Sequence, residues 1–223
     1  MLEDTLTQDG MVTTRRQHDS WLQWSRDHWA EIENDRLRQA IYLRLEHARY
    51  ETAKGTASWN PTTRRVSDVM DALESLAHLS KDVQAPAWLE GYPAPDGVPA
   101  NEVIACRNTF LHVTTRKMLA LTPALFNRVS VPFDYAEHAP EPTAWLAFLK
   151  SLWPRDQESQ DLLAEWIGYV LSGRTDLQKI LLAIGPPRSG KGTIAKVMEA
   201  LVGSATTAAQ AWPRWVPTLA WRT

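Results

Sequence analysis

Lys179-Ile180-Leu181-Leu182-Ala183-Ile184 runs straight into Gly185-Pro186-Pro187-Arg188-Ser189-Gly190-Lys191-Gly192-Thr193, and Ile194, Val197, Met198 and Leu201 follow at helical spacing. The first stretch is the short apolar run of a buried parallel strand. The last is an amphipathic helix. A glycine-bounded loop with a lysine lies between them, and strand, loop and helix in this order predict a P-loop. Gly185 and Gly190 permit the tight turn and the close approach of phosphate oxygens. The peptide N–H groups around Ser189 to Gly192 form an anion nest at a helix N-terminus. Lys191 adds its charge at the β- and γ-phosphates. The expected cradle therefore spans Gly185, Pro186, Pro187, Arg188, Ser189, Gly190, Lys191, Gly192 and Thr193, with Lys191 as the acting residue. At average usage the bare spacing arises by chance in ~1% of chains this long, so the flanking strand and helix carry much of its weight.

One position departs from the usual pattern. A hydroxyl residue directly after the lysine holds Mg²⁺, and here that place is Gly192. Thr193, one further on, is the weaker candidate for the metal. Gly-Lys-Gly-Thr loops also resemble those of adenylate-kinase-like nucleotide kinases. Those enzymes open with the loop, whereas about 180 residues precede it here, which makes a kinase the lesser reading.

Outward from the loop, Asp156 is placed to cap a helix with the stripe Leu162/Leu163, Trp166/Ile167 and Val170, and Gly173 ends it. Glu141-Pro142 opens another helix, lined by Trp145, Leu149 and Leu152 and stopped by Pro154. Residues 103–106, 110–113 and 129–133 read as short β runs. Residues 84–100, rich in proline and glycine, form a loop or linker. Val66, Val69, Met70, Leu73, Leu76 and Ala77 make the cleanest amphipathic helix. A polar interval from Thr52 to Thr63 separates it from a helical segment that begins at Ser20 and carries Leu37, Ile41 and Leu45. Residues 1–19, without hydrophobic period, read as a loose leader.

Composition bounds the function. The 223 residues are 44% hydrophobic and 22% charged, which suits a folded chain with a sizeable core. No apolar run approaches the ~20 residues of a spanning helix, and the acidic N-terminus lacks a signal core. A single cysteine, Cys106, excludes internal disulfides and multi-cysteine zinc sites. These features predict a cytoplasmic protein that avoids membranes. Net charge is −2, so the chain lacks the basic surplus of a dedicated nucleic-acid module. Local basic patches remain compatible with that total. Arg15-Arg16 and Arg64-Arg65 are candidates for phosphate-backbone contact, against the simpler reading of a solvated surface. Trp21 and Trp24 stack bases or pack in a core, and packing is favoured. His112 reads as a strand residue and Cys106 as a core residue.

The stretch from Pro86-Ala87-Trp88-Leu89 to Gly203 resembles the phage and plasmid primase–helicase family, whose motor is a superfamily 3 helicase. Arg107-Asn108, Thr115-Arg116, Thr122-Pro123 with Phe126-Asn127, and Pro132-Phe133-Asp134-Tyr135 carry the likeness. Trp145-Leu146-Ala147-Phe148-Leu149, Leu152-Trp153-Pro154 and Glu165-Trp166-Ile167-Gly168-Tyr169 continue it into the loop. Upstream, Leu37-Arg38-Gln39-Ala40-Ile41-Tyr42 and Trp59-Asn60-Pro61 are similar to the domain that precedes the motor. The resemblance implies ATP and Mg²⁺ as cofactors, DNA as partner and a homo-hexamer in the full-length family, with no hexamer expected here. It implies an ATP-driven DNA translocase in the replication of a mobile element. Only the loop transfers residue by residue. Thr109-Phe110 and Leu121 depart from the family pattern, and no acidic pair of a polymerising primase stands upstream.

The expected fold class is α+β. A mostly helical N-terminal part (20–153) turns to a small mixed β region from about residue 101. The first βα unit of an incomplete P-loop α/β, AAA+-like domain (154–208) follows. Ser204 to Thr223 holds three tryptophans, two prolines and no acidic residue. The carboxylates that organise metal and water in such a site are therefore missing, and hydrolysis is not expected. A reading-frame change near Ala209 is the favoured account of residues 209–223; truncation and a divergent tail are the others. The alternative function is a non-catalytic DNA- or partner-binding module.

Overall fold

The computed structural model describes residues 7–8, 10–92, 94–173 and 177–203. The expected out-of-frame tail, 209–223, lies outside the described residues. The fold is mixed α and β: among the described residues there are five α-helices and five small sheets, every paired strand antiparallel. No helix among them is long and apolar enough to cross a membrane. The chain divides into two units, Met1–Ser25 with Trp29–Ala85, and Arg26–His28 with Pro86–Thr223. The division at Ala85/Pro86 falls inside the proline-rich stretch expected to be a linker.

Unit one begins with a hairpin of β1 (Thr7–Gln8) and β2 (Met11–Val12). A meander of β3 (Thr14–Gln17), β4 (Ser20–Trp24) and β5 (Trp29–Ile32) follows. This corrects two expectations. The stretch read as a loose leader supplies strands, and Ser20 opens a strand and caps no helix. The physical reason is aromatic side-chain burial: Trp21, Leu22, Trp24 and Trp29 are all buried, and Trp24 and Trp29 pack with ring centroids 5.8 Å apart. Gln17 ties the meander down, its Nε2 donating to the carbonyls of Ser80 (3.0 Å) and Val83 (2.8 Å).

Helix α1 (Asn34–Leu45) starts fourteen residues after Ser20, and α2 (Thr63–Leu76) lies where the amphipathic pattern puts it. Thr62 caps α2, its Oγ1 accepting from the Arg65 N–H. Val66, Met70, Leu73 and Ala77 join Trp21, Leu37 and Ile41 in one core cluster. Leu76, expected on that face, is 79% exposed. The polar interval between the helices is a hairpin of β6 (Arg49–Thr52) and β7 (Gly55–Ser58). Its residues are exposed except Ala57, so no apolar alternation marked it as strand.

In unit two, β8 (Ala87–Trp88) pairs with β12 (Leu125–Phe126), and β9 (Val103–Ala105), β10 (Phe110–His112) and β11 (Met118–Leu119) form a meander. Residues 129–133, expected as a β run, form no strand. Val131 is buried there and donates its N–H to Ala105 O at 2.8 Å. Helices α3 (Thr143–Leu152) and α4 (Gln157–Leu171) match the expected segments. Asp156 caps α4, accepting from the Ser159 N–H at 3.0 Å, and Gly173 follows it at φ +67°. Helix α5 (Lys191–Val202) packs against both through Leu149, Leu163 and Ile194, with Phe148, Leu152, Ile167, Leu181 and Met198 around them.

The strand expected at 179–184 does not form. Residues 178–186 take no regular secondary structure, and no described strand pairs with them. Leu181 packs inward, while Ile180, Leu182 and Ile184 are 90%, 77% and 86% exposed. A parallel strand exists only against neighbouring strands, and the described residues supply none.

Candidate functional site

The loop closes on itself through Lys191. Its Nζ donates to Gly185 O at 2.7 Å, Pro186 O at 2.8 Å and Ser189 Oγ at 3.0 Å. The loop thus wraps the ammonium group, and an arriving anion would meet a cation already held beside the start of α5. Gly190 is the residue before the helix, at φ +82°. There L-residues are strained and glycine is not. Arg188, also left-handed at φ +65°, turns the chain two residues earlier.

Two close approaches explain the glycines. A Cβ on Gly185 would stand 2.8 Å from Ser189 Oγ, and one on Gly190 would stand 2.9 Å from Leu152 and 3.0 Å from Phe148. Helix α3 is therefore the wall against which the loop turns into α5. No local pattern marks this contact, because nearly forty residues separate the partners. Ile194 anchors the first turn of α5 in the core, and the N–H groups of Thr193 and Ile194 both donate to Gly190 O. The N–H groups of Lys191 and Gly192 precede the first intrahelical donors and are free for an anion by helix geometry.

The same residues fit phosphate better than metal. Gly192 offers no hydroxyl, and Thr193 is exposed on the first turn. Ser189 spends its hydroxyl on Lys191. No group of three or more His, Cys, Asp or Glu suited to a metal exists among the described residues. The cradle places the Lys191 ammonium group beside the peptide N–H groups that open α5.

The other residues marked by sequence take structural places. His112 is buried between Glu102 and Thr115, with Nε2 3.0 Å from Glu102 Oε2 and Nδ1 2.8 Å from Thr115 Oγ1. Thr114 Oγ1 donates to the same carboxylate oxygen at 2.8 Å. Bonds from His112 and then Thr114 hold the Glu102 carboxyl below its usual range. The group bolts the start of β9 to the β10–β11 turn, and no local pattern in the sequence pairs Glu102 with His112. Burial, with the Asp134 charge second, pushes the Cys106 thiol up to about 11, so it is an inert core residue. Asp27 Oδ1 lies 2.7 Å from His28 Nδ1, and Ser130 Oγ lies 3.3 Å from that nitrogen. Burial raises the Asp27 pKa, and the bond and charge of His28 outweigh it, so the carboxyl titrates below its ordinary value.

Trp21 and Trp24 are core residues, at 3% and 8% exposure. Arg16 lies over the Trp21 ring and bonds Glu74 at 2.9 Å, which occupies it. Arg65 lies over Trp59 with its carbon 5.7 Å from the ring centroid. Comparison of the sequence with protein-family models and with curated proteins found no match.

Proposed function

We propose that residues 185–193 bind the β- and γ-phosphates of ATP, and that the chain descends from an ATP-driven DNA helicase of phage or plasmid replication. The observation that supports this reading is the Lys191 ammonium group held by Gly185 O, Pro186 O and Ser189 Oγ at the N-terminus of α5. A lysine presented beside free helix N–H groups is a phosphate-recognising arrangement. The helicase part of the reading rests on the resemblance of the flanking segments to the primase–helicase family. In this role Lys191 neutralises phosphate charge, and the loop orients the phosphates by backbone. In this reading the loop and the start of α5 hold nucleotide and supply no carboxylate of their own, since no Asp or Glu stands between Asp176 and Glu199. Titration with labelled ATP tests the site: affinity should vanish in Lys191→Ala, and equal binding by both proteins would place the site elsewhere.

A non-catalytic DNA-binding module is the second reading. The exposed basic hairpin of unit one favours it.

A further inference from the structure

We propose that residues 179–185 pair antiparallel with the same residues of a second copy, about a two-fold axis at Leu182. The run has the form of a strand without a neighbour. Residues 178–186 take neither turn nor bend, and among the described residues no backbone hydrogen bond engages 179–184. Ile180, Leu182 and Ile184 alternate with Leu181 and Ala183, so the three share one face. They are three of the four most exposed large apolar side chains among the described residues. An open edge is usually blunted by charge or proline, and here Lys179 is the one charged residue from Lys179 to Pro187. Gln178, at φ +46°, bounds the run on one side, and Pro186, which has no N–H, bounds it on the other.

The order of the residues selects a second copy as the partner. The exposed face reads Ile180, Leu182, Ile184, the same in either direction. Antiparallel pairing about Leu182 sets Ile180 against the partner's Ile184 and Leu182 against the partner's Leu182. The exposed side chains of both copies then line one face of a two-stranded ribbon as cross-strand pairs. Leu181, held in its own core, meets the partner's Ala183, the smallest side chain of the apolar run. Lys179 falls opposite the partner's Gly185. In-register parallel pairing would instead oppose Lys179 to the partner's Lys179, a like-charge pair that destabilises a ladder. A slip by one residue would put the two exposed sets on opposite faces. Such a contact is isologous and closes on two copies, unlike the hexamer that the resemblance implies for the full-length family. The buried surface falls short of the ~800 Å² per partner of a standard interface, so the dimer is weak, with Kd on the order of 10 µM.

Sedimentation equilibrium of the full chain, without nucleotide, tests this across concentrations from a tenth of that value to ten times it. The chain should pass from monomer to dimer. Leu182→Lys, at a position open to solvent, sets like charges on the axis and should weaken association at least about tenfold. Leu182→Glu should do the same, and mixing the two variants should restore a heterodimer. Leu182→Cys should cross-link under mild oxidation, since directly opposed Cα atoms lie about 4.5–5.5 Å apart, within the span of a disulfide. Ile180→Cys should not, because it faces the partner's Ile184. Cys106 is buried and stays out of the reaction. A chain monomeric throughout would overturn the proposal, as would association that both charge variants leave intact or that their mixture fails to restore. So would Ile180→Cys cross-linking as readily as Leu182→Cys. Slow hydrogen exchange of the 180–184 amides at every concentration would show the run covered within one chain, and would overturn it equally.

Discussion

Gly190 is the residue on which the loop turns. Its φ of +82° and the 2.9 Å approach of Leu152 leave no room for a side chain. Gly190→Ala therefore costs the left-handed strain of about 1–2 kcal/mol plus whatever Leu152 must yield. Thermal unfolding should register a clear drop, and ATP affinity should fall with it. Gly192 is the contrast, since an added Cβ there meets nothing within 4 Å. Gly192→Ser should fold as the parent does and places a hydroxyl next to the lysine, so its nucleotide binding should gain Mg²⁺ dependence. At Glu102 the sign of the pH effect follows from its lowered pKa. Its bonds to His112 and Thr114 contribute above the unfolded carboxyl value of about 4.3, and that contribution is lost as pH falls through the lower folded value. Hydrogen exchange of the β9 and β10 amides should accelerate in that acid window, and Glu102→Gln should abolish the acceleration.

Helix α3 shows what an element contributes beyond its own stability. Phe148 and Leu152 touch the loop at Gly190, while Leu149 sits in the core with Leu163 and Ile194. The positions of loop and helix are thus coupled through one apolar cluster. Leu152→Ala removes the wall at a half-buried position, and a stability loss of about 1–2 kcal/mol is expected, below the 2–5 of a full core truncation. ATP affinity should fall further than this loss explains, because the loop must then order as it binds. Leu152→Met should restore affinity, and calorimetric titration beside thermal melts separates the two effects. Helix α2 is the simpler case. Met70→Ala, at a buried position, should cost about 2–5 kcal/mol with no change in the nucleotide titration.

Across the whole chain, the acid distribution predicts the chemistry. No acidic residue stands between Asp176 and Glu199, so the loop and the first two turns of α5 bring no carboxylate of their own. Pure protein should release no phosphate from ATP above a Lys191→Ala control, with or without DNA. Turnover sensitive to Lys191 would show that another group supplies the base.

The sequence alone determined α2, α3, α4 and α5, the cap at Asp156 and the lysine of the loop, because these depend on spacing within a few residues. It also determined β9 and β10, whose apolar runs are short and continuous. It could not reveal β3, β4 or the β6–β7 hairpin. Thr14, Arg16, Arg49 and Thr56 are polar, and their strand state comes from ladder partners that local pattern does not encode. The reverse error occurred at 179–184, where an apolar run predicts a strand that the described residues give no neighbour. Tertiary structure alone decided that α3 braces Gly190 and that Glu102 and Thr115 hold His112. Each is a meeting of residues distant in sequence or fixed by side-chain contact, and periodicity carries no information about such meetings.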